Sequence, residues 1–529
     1  MPGGRAMLVA AVAAAVLGGG GAPAAAHGGA PTAIGVAPTS IAHRAPAHPG
    51  AAHTPIGVAD APIATVRVAQ FNCDISDEFP IIKASLVARA IRASGADVVG
   101  IEEGGGEIPQ IAHALGWRYY DIRMQIVSRL PLVDPPDGNG LYTYVEVSPG
   151  RVVAMENVHL PAAPYGPVWV KHGKTAAQVI AMEKHVRLPA IEPDLAAVRV
   201  LHARGIPTFL TGDFNSPSFR DWTEATVGTQ PWRPYPLRWP VSAAVEATGF
   251  TDSFRAVHPN PVKTPGLTWP THRTIPGVDL FLGEPKDRID FVFSRGARAV
   301  ASRIVGEPGA PGVSATVAPW PSDHRLVVST FRVRGATPPA VVTVPHRLAR
   351  IGDAVPVSFH ADGPVTAVAV EHLRAGTAST VAARPVADAH GIRTVSFSSR
   401  RWAAGAYAAV LLGRDGKTLS RFPFWVAAPA APPVVRMTKP VFAVGEPIGV
   451  TVKNAPGDRW DWLGIYHRGA NPLVASYLLW RYTHSAIDGT FTLRPSGIFA
   501  VPLTPGRYTV YLLRDDLYVK IAGANFVVR

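Results

Sequence analysis

Apolar positions change their spacing along this chain, and each change marks a boundary. From Ile63 to about Arg334, short apolar runs alternate with segments of helical spacing. IATVRVAQFN (63–72), ADVVGIEE (96–103), YTYVEV (142–147), RVVAMENVHL (151–160), IPTFLTGDF (206–214) and RIDFVF (288–293) read as strands. Ile82–Ser94, Thr175–Leu188 and Pro193–Ala203 carry the spacing of helices with one buried face. Beyond Ala340 the helical period disappears. VPVSF, TAVAVEHL, RTVSFSS and AYAAVLL alternate between Gly, Pro and Asp-Gly turns, which predicts β-sandwiches. This region repeats: GAYAAVLLGRD (405–415) parallels GRYTVYLLRD (506–515), and IGDAVPVSF (351–359) parallels VGEPIGVTV (444–452). The pattern predicts an α+β domain over 63–335, a linker at 335–340, and all-β modules over 341–430 and 431–529.

The beginning of the chain follows neither pattern. Arg5, the apolar run Met7–Leu17 and the small residues Ala24-Ala25-Ala26 have the order of an export signal, predicted over 1–26. Residues 27–62 are rich in Ala, Pro, Gly and His, too poor in large apolar side chains to fold, and read as a disordered linker. Its histidines, His27, His43, His48 and His53, are irregularly spaced, as solvated linker residues are. No other stretch has the uninterrupted apolar length needed to span a bilayer. A secreted or periplasmic location is expected.

Composition adds little to this frame. A chain of 529 residues with 47% hydrophobic and 17% charged residues is globular and too long for one core. The formal charge of +13 favours anionic partners such as nucleic acid, phospholipid headgroups or cell-wall polymers. The single cysteine, Cys73, excludes an internal disulfide framework and reads as a small buried hydrophobe at a strand end.

Polar residues gather where the predicted strands end. Asn72 follows VAQF, Glu102-Glu103 follow VVGI, and Asn157 and His159 lie in MENVHL. Asp213 and Asn215 lie in TGDFN, Asp290 in RIDFVF, and Asp323-His324 in PSDH. Singly, each reads as a turn or cap residue. As a set they supply oxygen ligands for a hard cation, imidazoles that exchange protons near neutrality, and a His–Asp pair if Asp290 holds the His324 tautomer. Hydrolysis of a phosphoester needs charge neutralisation, an oriented water and a protonated group facing the leaving oxygen.

FN, IEE, NVHL, GDFNSP, RID and SDH follow one another in an order and spacing that resembles the endonuclease/exonuclease/phosphatase superfamily over about 63–333. That superfamily includes deoxyribonucleases, abasic-site endonucleases, neutral sphingomyelinases and inositol-polyphosphate 5-phosphatases. The resemblance implies a four-layered αββα sandwich and a divalent metal, Mg²⁺ or Mn²⁺. It implies Glu103 as the principal metal ligand, assisted by Asn72 and Asp323. Asp213 and Asn215 would orient or deprotonate the attacking water. His324, paired with Asp290, would act on the scissile phosphate as base or charged stabiliser, and His159 would contact a phosphate or leaving-group oxygen. Asn157, Lys171 and Lys174 are the expected substrate-binding residues, the two lysines reading equally as a solvated helix start.

Two departures stand out. Glu102 replaces the Gln that usually precedes the metal Glu, and is expected to point away because adjacent strand residues face opposite sides. RYYDIRMQIVSRLP lacks the Asn or Tyr common in the family there, leaving Arg123 or Gln125 as substitutes. HGKT (172–175) resembles the end of a P-loop, but Val168 stands where that motif needs Gly. The glycines 104–106 either form a turn or let backbone approach a ligand. RWDWLGIY (459–466) is similar to SKICH-type β-sandwiches, so the modules are expected to be immunoglobulin-like and to contact membranes or anionic surfaces. The expected substrate is a phosphoester, with extracellular nuclease and sphingomyelinase-like phospholipase as the substrate alternatives. A catalytically vestigial surface- or membrane-binding protein is the competing class.

Overall fold

The computed structural model describes residues 62–529 apart from 75–79, 105–106, 136–137, 139, 272–273, 276–277, 280–282, 345–346, 361–364, 375–376, 387–390, 429–430, 458–460, 473–474, 476, 484–485, 495–501 and 515–517. The predicted export signal, the linker up to residue 61, Gly105-Gly106 and Trp460 lie outside the described residues.

Two sheets organise the first domain. One has seven strands in the order Val313–Thr316, Ala297–Gly306, Leu326–Arg334, Ile63–Asn72, Val98–Glu102, Ile126–Ser128 and Tyr119–Asp121. The other has six, in the order Leu132–Val133, Thr143–Ser148, Arg151–His159, Thr208–Asp213, Asp290–Arg295 and Thr251–Asp252. Each strand projects alternate side chains to opposite faces. Val66, Val68 and Val98 from the first sheet meet Met155, Phe209 and Val292 from the second in a core between the sheets. Ala69, Phe71, Val99 and Ile101 face outward instead, against Val87 and Ile91 of helix Pro80–Ser94 and Ile111 of helix Ile108–Leu115. Leu210, Phe291 and Phe293 face outward from the second sheet onto Ile191, Leu195 and Val198 of helix Leu188–Ala203 and Val241 of helix Pro240–Ala247. The layers therefore run helix, sheet, sheet, helix. Each fully buried Val, Leu, Ile or Phe contributes about 1.5–3 kcal/mol relative to exposure.

Helix Leu188–Ala203 begins earlier than its spacing predicts, with Pro193 inside it. The antiparallel pair Ala297–Gly306 and Leu326–Arg334 was not anticipated from the apolar pattern. The first half of its first member alternates half-buried and exposed positions and only the end, Ile304–Gly306, is continuously buried, so no long apolar run marks it.

Beyond residue 340 the strands form two all-β units with one topology. In the first, Val341–Thr343, Ala354–His360 and Arg393–Ser398 form one sheet, and Leu348–Arg350, Thr418–Ala427, Gly405–Gly413, Val365–Arg374 and Thr377–Pro385 the other. In the second, Val434–Met437, Ile448–Lys453 and Gly489–Leu493 form one sheet, and Val441–Phe442, Lys520–Val528, Gly506–Leu513, Trp462–His467 and Leu479–Tyr482 the other. The two orders match strand for strand. The match extends to a detail: Tyr407 Oη donates to the Ala403 carbonyl and Tyr508 Oη to that of Thr504, each at 2.7 Å and four residues upstream. The first unit packs against both sheets of the first domain: Glu146 on the six-stranded sheet accepts from the Ile392 backbone N–H at 3.2 Å, and Arg123, in the turn joining Tyr119–Asp121 and Ile126–Ser128 of the seven-stranded sheet, lies 5.3 Å from the Phe422 ring centre.

Candidate active site

Strand register assembles the site. His159 pairs with Asp213, and Asp213 with Asp290, so three neighbouring strands place these residues in one row. Counting by twos from the core residues Met155, Phe209 and Val292 puts all three on the face turned toward the other sheet. In that other sheet Asn72 pairs with Glu102, on the same parity as Val68 and Val98. The five strand ends converge at one edge of the sandwich. The Ser322–His324 turn is tied there because Ser322 Oγ donates to the Asn72 carbonyl at 2.7 Å and accepts from His324 N–H at 2.9 Å.

Alternation alone would send Glu103 to the helical side. Its backbone has a φ of +56°, a left-handed conformation costly for a glutamate, and this turn returns the side chain to the site. The Gly104 N–H, donating to Gln125 Oε1 at 3.2 Å, helps hold the turn.

Asp213 is the hub. Its Oδ1 accepts from the Asn215 backbone N–H at 2.9 Å; its Oδ2 accepts from Asn72 Nδ2 at 3.1 Å and Asn215 Nδ2 at 3.2 Å. His159 Nε2 lies 3.6 Å and His324 Nε2 3.7 Å from the same Oδ2. Asn72 Nδ2 also donates to Glu103 Oε1 at 3.2 Å, and His159 Nε2 is 3.8 Å from that oxygen. Behind His324, Nδ1 donates to Asp290 Oδ2 at 3.0 Å, which fixes Nε2 as the nitrogen facing Asp213. Asp213, Asp290 and His324 each offer one ligand atom within 4.8 Å of the others.

Burial dominates the electrostatics. It pushes the Glu103 carboxyl up to about 7, with Asp74 and Asp323 adding to the rise and His159 and His324 opposing it. Burial likewise raises Asp213, with His324 opposing and Asp290 reinforcing. For His324, burial works against the charge, yet Asp290, Asp213 and Asp323 together hold the imidazolium well above its ordinary range. Crowded, under-compensated carboxylates with hard oxygen donors fit a divalent cation. Glu103, Asp213 and Asp323 offer such oxygens. In this conformation Asn72 turns Nδ2 to the acids and Oδ1 to the Asp74 N–H at 3.1 Å, so ligation by Asn72 requires its amide to turn over.

Other expected site residues fall elsewhere. Asn157 is buried between the sheets, Nδ2 donating to the Ile101 carbonyl at 3.1 Å and Oδ1 accepting from Thr211 Oγ1 at 2.8 Å. Backbone and Thr211 take its polar atoms, so in this structure it braces the two sheets. Gly100 makes room for it: a Cβ there would come within 2.2 Å of Asn157 Oδ1 and 2.3 Å of Thr211 Oγ1. Gly100→Ala is expected to lower stability by about 3 kcal/mol, read from the urea midpoint. Lys171 and Lys174 are exposed, and Lys171 donates to the Gly283 carbonyl. HGKT is a helix start, with Thr175 capping Ala176–Val186. Arg123 is buried with Asp134 beneath Phe422, away from the row of catalytic-type residues.

The sequence reading missed several members. Glu102 does not leave the site; it faces the inter-sheet space, where Gln70 Nε2 donates to Glu102 Oε2 at 2.5 Å and to Asp290 Oδ1 at 2.7 Å. Burial, Asp290 and Asp213 hold the Glu102 carboxyl well above the usual range. Strand parity pointed to Gln70, two residues before Asn72. Asp74, two residues after Asn72, acts on Glu103 and was foreshadowed only by FNCD. Trp269 Nε1 donates to Asp323 Oδ2 at 3.0 Å and its ring lies 6.2 Å from that of His324, a placement that no periodicity announces.

The chain is 34% identical over 155 residues to uncharacterized protein F14F9.5 of Caenorhabditis elegans, a match covering 28% of this chain and 48% of that protein. The chain thus spans about half the length of that curated relative. Among solved structures, an endonuclease/exonuclease/phosphatase from Beutenbergia cavernae is similar at 19% identity, TM-score 0.32, over 68% of this chain and 100% of that one. The AP endonuclease LMAP from Leishmania major is similar at 14% identity, TM-score 0.34, over 51% and 88%. Members of the Endonuclease/Exonuclease/phosphatase family are in general metal-dependent hydrolases of phosphoester bonds. Residues 69–324, just under half of the chain, match the model of that family and are similar to it.

Proposed function

We propose that this chain is a secreted phosphoester hydrolase that works with Mg²⁺ or Mn²⁺ and directs water onto phosphorus. One observation carries the reading: Asp213 accepts from Asn72 and Asn215 while facing both His159 and His324, and His324 is backed by Asp290. In this arrangement Asp213 and Asn215 hold and orient the water. His324, kept protonated by Asp290 and Asp213, stabilises charge on the phosphoryl oxygens. His159 contacts a phosphate or leaving-group oxygen. Glu103, with Asp323 and Asn72, would hold the cation, which when bound neutralises phosphate charge and lowers the pKa of water.

The formal charge of +13 favours a phosphodiester within an anionic polymer or headgroup surface over a soluble monoester. Arg5, Met7–Leu17 and Ala24–Ala26 support export. Among the described residues no helix is long and apolar enough to cross a membrane. The duplicated strand order and the Tyr407 and Tyr508 bonds support immunoglobulin-like modules, which we assign to contact with anionic surfaces.

The test is a turnover panel with bis-p-nitrophenyl phosphate, p-nitrophenyl phosphate, plasmid DNA and sphingomyelin, with and without EDTA. Diester cleavage that EDTA abolishes and Mg²⁺ restores is expected. Activity that survives EDTA, or a pair of Asp213→Ala and His324→Ala variants that lose nothing, would defeat the reading.

A further inference from the structure

The segment after His159 carries a group that no expected role uses. Arg187 is fully buried and fixes this segment: Nε donates to the Pro161 carbonyl at 2.9 Å, and Nη2 to those of Ala162 at 3.1 Å and Pro164 at 2.7 Å. Its Nη1 is held by Glu183 at 2.6 Å. The next residue is Tyr165. Its ring meets Trp269 edge-on at 5.2 Å, and Trp269 in turn leans on His324 at 6.2 Å and donates to Asp323. Tyr165, Trp269 and His324 thus form one continuous wall of the site.

Tyr165 Oη is buried and has no hydrogen-bond partner among the described residues. Leaving a buried hydroxyl unpaired is costly, and native structures seldom do so without a reason. Burial pushes the phenol well above its ordinary range; the acids Asp287, Asp213 and Asp290 push it further and Arg187 opposes them. The group therefore stays a neutral O–H at working pH, and two of the charges acting on it belong to the site. The acids near this wall, Glu103, Asp213, Asp290 and Asp323, accept hydrogen bonds and donate none when ionised. A phosphoryl group entering this pocket brings acceptor oxygens and needs donors.

Resting on the hydrolase reading above, we propose that Tyr165 is a further catalytic residue whose phenol donates a hydrogen bond to a phosphoryl oxygen of the bound substrate. No proton is transferred; the bond positions the phosphoryl group against His324 and strengthens as charge builds on that oxygen. The rival acceptor is internal. Asp287 Oδ2 is also buried without a partner among the described residues, although Oδ1 accepts from Trp222 and Arg233, each at 2.9 Å. A small shift joining Tyr165 to Asp287 would make the phenol a purely structural donor.

Tyr165→Phe separates these roles because it keeps the ring against Trp269 and removes only the hydroxyl. In the full chain with Mg²⁺, kcat for bis-p-nitrophenyl phosphate is expected to fall about 10²-fold with KM changed much less. Calorimetric affinity for inorganic phosphate in the presence of Mg²⁺ should fall about tenfold, with the melting temperature unchanged. Asp287→Asn should leave phosphate affinity intact. Turnover and phosphate binding that are unchanged in Tyr165→Phe, with or without a lowered melting temperature, overturn the proposal. If the wild-type chain cleaves no phosphoester yet binds phosphate, and Tyr165→Phe weakens that binding, the hydrolase reading fails and the anion contact stands. If the wild-type chain does neither, both fail together.

Discussion

Asp213→Asn is expected to lower kcat about 10³-fold or more while the folded structure persists. The amide keeps an oxygen for the Asn215 N–H and nearly the same volume; its NH2 takes the place of Oδ2, so the Asn72 and Asn215 side-chain amides must turn over locally while the strand is kept. What disappears is the negative charge shared by Asn72, Asn215, His159 and His324. Two effects then combine: the water loses its orienting acceptor, and His324 loses one of the charges that keep it protonated. The fold should tolerate the loss well, because burial already disfavours the ionised Asp213 carboxyl. Circular dichroism should be unchanged where turnover is lost. Retained turnover would mean that Asp213 is a structural acid only.

Glu103→Ala should act through the metal. At ordinary Mg²⁺ its activity is expected to collapse, and high Mg²⁺ should restore part of it, since Asp213 and Asp323 remain as oxygen donors. Equal loss at every Mg²⁺ concentration would contradict a ligand role. pH supplies a sharper signature. In the metal-free chain the Glu103 carboxyl sits at about 7 against an ordinary 4.5, so the folded chain holds a proton that the unfolded chain has released. The contribution of this group to metal-free stability therefore declines as pH rises from about 4.5 to 7, then levels off. A cation must displace that proton, so apparent Mg²⁺ affinity should rise about tenfold per pH unit below 7 and flatten above it. Glu103→Ala should lose most of that dependence, which titrations at pH 5.5, 6.5 and 8 would reveal.

How much of this was readable in the sequence depends on geometry. Strand ends were readable because apolar runs stop abruptly at polar residues, as at Asn72, His159 and Asp213. Convergence was implied by the family that the motifs resemble, and the register His159–Asp213–Asp290 supplies its physical cause. Parity failed where the backbone departs from a strand. Glu102 and Glu103 were expected to diverge with Glu102 outward, but the left-handed φ at Glu103 and the Gln70 bridge keep both near Asp290 or Asp213. Asn157 looked like a site residue because it sits two positions before His159 on the same face. Depth separates them: Asn157 lies under Gly100, inside the sandwich, and only His159 reaches the edge. Tyr165 and Trp269 were out of reach, since their loops take shape from Arg187 and Asp323, far away in sequence. The repeat of the C-terminal units was visible because the two copies keep the same Gly-x-Tyr strand starts at Gly405 and Gly506.

Metal binding itself is the most direct measurement. Titrating the full chain with Mn²⁺ at pH 8, followed by electron paramagnetic resonance, should give saturable binding that EDTA reverses. Glu103→Ala should weaken it severely and His324→Ala much less, because the imidazolium serves the phosphate and not the ion. Mn²⁺ binding indistinguishable between the wild-type chain and Glu103→Ala would mean that these acids and imidazoles do not form a cation-holding centre.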